Sequence, residues 1–174
     1  MVILKYLNCK IWLCIFFYRV NYDSENWKKI SAALLKDHKK IHRTNRAQIL
    51  DDSLTLAKAG LLDYPTALGT TEYLAKEFDY IPWTAAIAEL NYIGKMLGRT
   101  PGYGAFKEFM IRQLLPIYQH LGFENKETDS SIDIRLREEI INLLCNLGYD
   151  DCEDKAIQLF RKWLKCKTPM FASK

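Results

Sequence analysis

The sequence predicts an all-α chain of stacked helical hairpins, and three observations carry that expectation. Beyond Asp23, apolar residues recur at three- and four-residue spacing in one segment after another. Prolines and glycines stand at the ends of those segments, where helices start and stop. The connections are short, which makes successive helices antiparallel neighbours, as in a solenoid. No residue-level repeat accompanies the pattern, so the stacking is inferred from loop length.

The elements follow in order. Ser24 caps a helix to about Lys36. A second helix, Asn45 to Ala59, places Ala47, Leu50, Leu54, Ala57 and Leu61 on one side and stops at Gly60. Asp63 caps a third, with Tyr64 and Pro65 at its start, running to about Glu77. Pro82 opens a fourth, with Trp83, Ala86, Ile87, Leu90, Ile93 and Leu97 aligned and Gly98 behind it. Pro101 precedes a longer helix carrying Phe106, Phe109, Met110, Leu114, Ile117 and Leu121, with Pro116 as a kink or near its end. Glu124 to Ser131 is polar and reads as a loop. Ile132 to Leu147 aligns Leu136, Ile140, Leu143 and Leu147. The last helix, Asp151 to Leu164, turns Ala156, Phe160 and Trp163 inward. Phe16 to Tyr22 is the one strand candidate, and it has no evident partner.

The 174 residues suffice for one domain with a core. With 49% apolar and 26% charged residues, the composition is that of a folded chain. A net charge of +4 is too mild to argue for nucleic acid, and no base-reading motif is present. The apolar run Ile11 to Tyr18 is shorter than the roughly 20 residues of a membrane-spanning helix. Phe16-Phe17-Tyr18-Arg19 follows where a signal peptide would carry small residues.

Candidate sites are weighed by what their chemistry requires. His38 and His42, four apart, could share a metal on one helix face. The zincin pattern also needs a glutamate after the first histidine, and Lys39 stands there. Its third ligand position, nineteen residues after His42, is Leu61. The basic run Lys36, Lys39, Lys40, Arg43 and Arg46 reads as a solvated helix end. Asp51 and Asp52 point about 100° apart on a helix, so they do not converge on one atom. They are expected to pair with Arg46 or Lys58, in a polar cluster with Gln48 that docks this helix to its neighbours. No CxxC, GxGxxG, Walker loop or GxSxG occurs. Of five cysteines, Cys145 and Cys152 lie seven apart across Gly148, and the spacing permits either a small disulfide loop or two separate buried thiols.

Several of these stretches together resemble the gluzincin aminopeptidases of the aminopeptidase N and endoplasmic-reticulum type. Phe17-Tyr18-Arg19-Val20-Asn21-Tyr22-Asp23, followed by Trp27, is similar to that family's junction motif. Asn45-Arg46-Ala47-Gln48-Ile49-Leu50-Asp51-Asp52 resembles its N-R-A-Q helix. Tyr73-Leu74, Glu77, Tyr80, Pro82-Trp83 and Ala85-Ala86 resemble a third block, and Tyr103-Gly104, Pro116, Cys145, Cys152, Phe160 and Trp163 continue in the same order. Phe16 stands where the family usually has glycine, which sets residues 1–16 apart as an unassigned apolar start.

The resemblance implies a HEAT-like superhelical C-terminal domain, partial here, over residues 24–174. Residues 17–23 would be a remnant strand at the junction to a missing β-sandwich. It implies a Cys145–Cys152 disulfide and an oxidising compartment, in the secretory pathway or at the extracellular face of a membrane. Asn45, Arg46, Gln48, Asp52, Pro82 and Trp83 would be structural motif residues. Lys95 falls near a lysine that faces the peptide's C-terminus in some members, although Gly94 replaces the adjacent tyrosine. The parent would remove N-terminal residues from peptides with zinc. This segment would enclose the cavity, hold no catalytic or metal-binding residue and no cofactor of its own, and contact the catalytic and β-sandwich domains. The alternative is a free-standing helical scaffold that binds a peptide or protein in its concave face.

Overall fold

A computed structural model describes residues 19–165. Among them are seven α-helices, two short 3₁₀ turns and no strand. The chain is all-α. Residues 19–22 of the expected strand are non-helical and unpaired into any sheet, and residues 1–18, with the rest of that expectation, lie outside the described range. The chain divides into two compact units between Phe106 and Lys107.

In the first unit, α1 (Ser24–Asp37) is followed by a 3₁₀ turn (His38–Lys40) and α2 (Arg43–Lys58). Next come α3 (Tyr64–Gly69), a second 3₁₀ turn (Glu72–Lys76), α4 (Tyr80–Leu97) and the start of α5 (Tyr103–Leu121). The cap of α1 is Asp23 and not Ser24: the Asp23 carboxylate accepts the Asn26 backbone N–H at 2.8 Å. A carboxylate there also faces the positive end of the helix dipole. Gly60, at φ 73°, turns the chain out of α2, a left-handed conformation that costs a side-chain-bearing residue about 1 kcal/mol. Leu61 behind it is exposed rather than aligned with the core.

Asp63 caps α3 as expected, accepting the Thr66 N–H at 2.9 Å. The helix does not reach Glu77, however. Thr70 and Thr71 turn their hydroxyls back onto the Ala67 and Leu68 carbonyls, each at 2.7 Å, and satisfy the end of a helix that stops at Gly69. The chain then bends so that Tyr73, Leu74 and Glu77 all become buried. The fourth helix starts at Tyr80, two residues before Pro82. Proline is tolerated there because first-turn N–H groups have no intrahelical acceptor. Trp27, Leu34, Leu50, Leu54, Tyr73, Leu74, Trp83 and Leu90 form the core of this unit, with α2 packed along α4.

The second unit holds the rest of α5, then α6 (Ser131–Asn146) and α7 (Asp150–Lys165). Its core is Met110, Leu114, Ile117, Leu136, Ile140 and Leu144. Pro116 lies inside α5 and donates no hydrogen bond to the preceding turn. A reciprocal capping box starts α6: the Asp133 N–H donates to Ser130 Oγ at 3.2 Å, and the Ser130 N–H to Asp133 at 3.0 Å. Buried Arg137 on α6 donates twice to the Leu121 carbonyl at the end of α5, at 3.2 and 2.9 Å. It also reaches Asn125 at 2.8 Å and Asp129 at 2.7 Å in the intervening loop. Cys145 and Cys152 are joined, with Cα atoms 5.3 Å apart, across Gly148 at φ 76°. Phe160 and Trp163 do not turn inward. Both are exposed, because α7 buries one residue, Cys152, near its start.

Candidate functional site

Two ion-pair clusters on α2 gather most of the motif residues. The first holds the entering segment against the middle of α2. Arg19 Nη1 donates to Asp51 and, at 3.4 Å, to Asp52. The Val20 N–H donates to Asp52 Oδ2 at 3.3 Å, and the Gln48 side-chain amide donates to its other oxygen at 2.8 Å. Asn21 donates to the Leu61 carbonyl at 3.1 Å and accepts the Trp27 indole N–H at 3.0 Å. Tyr22 meets the Trp27 ring edge-on at 5.1 Å. Burial raises the Asp52 carboxyl above its ordinary range, while the Val20 N–H, Gln48 and Arg19 oppose the shift by favouring the anion. The partners expected for the aspartates, Arg46 and Lys58, are engaged elsewhere: Lys58 sits 3.9 Å above the Tyr92 ring.

Arg46 builds the second cluster. It was expected in a solvated basic run, and Lys36, Lys39, Lys40 and Arg43 of that run are exposed, but Arg46 is only 3% exposed. Its Nε donates to Glu77 Oε2 at 2.6 Å and its Nη2 to Glu77 Oε1 at 3.2 Å. The Nη2 group also pairs with Asp79, and Nη1 donates to the Ile41 and His38 carbonyls at 2.6 and 3.3 Å. Five acceptor contacts therefore match the five N–H groups of one guanidinium. Glu77, 2% exposed, accepts the Phe78 and Asp79 N–H groups at 3.0 Å each. The Trp83 indole donates to the Glu77 carbonyl at 2.9 Å, which ties buried Pro82-Trp83 to the same corner.

His38 lies beside this cluster, with Nε2 4.0 Å from Glu77 and its ring 5.5 Å from Tyr73. Burial lowers its pKa below the ordinary histidine range, against the pull of Glu77 and with the push of Arg46. The helix ends at Asp37, a 3₁₀ turn carries His38, and His42 instead caps α2 and accepts the Thr44 N–H at 3.4 Å. The two histidines therefore do not share a helix face. Among the described residues, no group of three or more His, Cys, Asp or Glu side chains could hold a metal ion. Lys95 is exposed in the last turn of α4, and Asn45 sits in the first turn of α2. The clusters hold chain segments together.

Residues 15–171 match the model of the ERAP1-like C-terminal domain. The chain belongs to this family. Relatives of this C-terminal-domain chain include aminopeptidase N of Plutella xylostella, 40% identical over 147 residues, covering 84% of this chain and 16% of that protein. Human aminopeptidase N is 36% identical over 155 residues, covering 86% and 16%. The thyrotropin-releasing hormone-degrading ectoenzyme of Rattus norvegicus is 33% identical over 154 residues, covering 85% and 14%. The chain spans about one-sixth of the length of the curated relatives it matches. Among the described residues, no helix is long and apolar enough to cross a membrane.

Proposed function

We infer that this chain is part of the C-terminal helical domain of a zinc-dependent aminopeptidase. In that reading it walls the cavity in which peptides lose their N-terminal residues, and the zinc chemistry lies on a catalytic domain outside this segment. The observation that carries the reading is the coupling of the motif blocks. Arg19 and Asn21 of the junction block are latched to the α2 block and to Trp27, and Arg46 of the α2 block is latched to Glu77 and Asp79. Such a frame fixes the direction in which a preceding domain enters and leaves catalysis to other residues. Relatives named as aminopeptidases and an ectoenzyme support the activity and a location in the secretory pathway or outside the cell. The Cys145–Cys152 pair fits an oxidising compartment. Partners would be the catalytic and β-sandwich domains and the peptide substrate, with exposed Lys95 a candidate lining residue.

Two measurements test this. An antibody raised against residues 24–165 should detect, on a denaturing gel of the source tissue, a band several times larger than 20.3 kDa. That native protein should release the chromophore from an aminoacyl p-nitroanilide and lose activity to a zinc chelator, while the 174-residue chain with added zinc should not. Hydrolysis by the isolated chain, or a native band at its own mass, would overturn the assignment.

A further inference from the structure

The His38 ring lies against the latch of Glu77 and Arg46 and is 7% exposed. Its backbone carbonyl accepts from Arg46 Nη1 at 3.3 Å, while its ring nitrogen Nε2 stands 4.0 Å from Glu77 Oε1. That separation is too long for a hydrogen bond, yet short for two charges shielded from water. Every neighbouring segment brings a group to the ring. Asp37 and Lys39 flank it on its own turn, Arg46 reaches it from α2, and Tyr73 and Glu77 face it from the stretch between α3 and α4. Asp37 is partly exposed and paired with Lys40 at 3.6 Å, which leaves Glu77 as the buried anion beside the ring.

The two oxygens of Glu77 carry unequal loads. Oε2 accepts from Arg46 Nε at 2.6 Å. Oε1 accepts from the Phe78 and Asp79 N–H groups at 3.0 Å each and from Arg46 Nη2 at 3.2 Å. The last of these is the longest, and Nη2 has a second acceptor in Asp79, so it is the contact that yields most readily. A neutral imidazole leaves this arrangement alone. A protonated one has a donor at both ring nitrogens, and a buried cation without an acceptor is costly. An approach of about 1 Å brings Nε2 within hydrogen-bond distance of Oε1, where a charge-assisted bond forms.

We propose that this corner is an acid-sensitive switch: on taking a proton from solvent, His38 Nε2 displaces Arg46 Nη2 from Glu77 Oε1, and Nη2 stays with Asp79. The guanidinium then holds Glu77 at one point instead of two, and the 3₁₀ turn of His38 is drawn toward the start of α4. Burial above all, together with Arg46 and Lys39, disfavours the imidazolium, against the pull of Glu77 and Asp37. The exchange therefore sets in below the ordinary histidine value of about 6.5, so an acidified compartment sets the switch and neutral surroundings release it.

NMR of the full 174-residue chain, titrated from about pH 7.5 to 5 with circular dichroism to confirm retained helix, tests the proposal. The ring signals of His38, His42 and His120 are assigned by replacing each in turn with glutamine. The His38 ring should titrate below about 6.5, and the Phe78 and Asp79 amide signals should move with the same midpoint. The Glu77 carboxyl carbon should stay in its ionised range throughout. His38→Gln should abolish the movement of both amides. Asp79→Ala, which leaves Nη2 without its second acceptor, should lower the His38 midpoint by about half a pH unit, roughly a threefold loss of proton affinity. A His38 ring that stays neutral, or that titrates without moving the two amides, overturns the proposal. So do amides that move equally in His38→Gln, protonation of Glu77 in the same step, loss of the fold before His38 charges, or a midpoint unchanged in Asp79→Ala.

Discussion

Replacing Arg46 with methionine keeps most of the side-chain volume and removes its charge and donors from a site that is 3% exposed. Glu77, 2% exposed, would lose both guanidinium contacts, and the Ile41 and His38 carbonyls would lose theirs. Breaking a buried pair from one side costs about 3–5 kcal/mol, because the remaining charge is left without compensation. For a chain of this length, about 2–4 °C of melting temperature per kcal/mol makes the loss roughly 6–20 °C. Glu77→Leu added to Arg46→Met should recover part of it, though not all, since the Phe78 and Asp79 N–H groups also depend on the carboxylate. The assay is thermal and urea unfolding of the wild type, both single variants and the double, read by circular dichroism at 222 nm. A fall of less than about 1 kcal/mol in Arg46→Met, or a coupling energy near zero in the cycle, would refute the claim that this ion pair organises the corner.

Three further outcomes are expected. His38 titrates below its unfolded value, so the unfolded chain binds more protons as pH drops beneath about 6.5, and stability should fall with it. Glu77 and Asp37 favour its charged form, Arg46 and Lys39 oppose it, and the Tyr73 ring lies beside it; His38→Gln should flatten that slope in melting curves from about pH 7.5 to 5.5. Replacing Cys145 and Cys152 together with serine opens a loop of sequence separation 7 and should cost about 2 kcal/mol in chemical unfolding without reductant. Ser130→Ala removes half of a capping box and should cost about 1 kcal/mol, measured the same way.

The helices were legible because their apolar spacing is regular and their stops are marked: Gly60, Asp63, Gly148 and the loop before Ser131 behave as their types suggest. Errors arose where a side chain acts over distance. Arg46 looked like one more surface cation, since its partners lie 31 and 33 residues away and spacing on one helix cannot reveal them. Arg19, not Arg46, serves Asp51 and Asp52, and the separation of 32 residues hides that equally well. A signal did exist, because Arg19, Arg46 and Glu77 each fall in a different motif block, and charged residues in separate blocks are candidates for pairing. The early end of α3 follows from two threonines whose hydroxyls compete with the helix, a preference that apolar periodicity does not register. Phe160 and Trp163 were placed inward by periodicity, which identifies an apolar side and says nothing of whether anything covers it.

Arg137 has a consequence for the order of folding. The carbonyl that ends α5 is answered by a guanidinium sixteen residues later, on a helix that must already be wound to present it. The end of α5 lacks this partner until α6 is made, so a nascent chain that has produced α5 only would keep a fraying end. The same fork grips Asn125 and Asp129, so the loop is drawn into place in the same event. The hairpin should therefore form and dissolve in one cooperative step, with its amides exchanging hydrogen as a group.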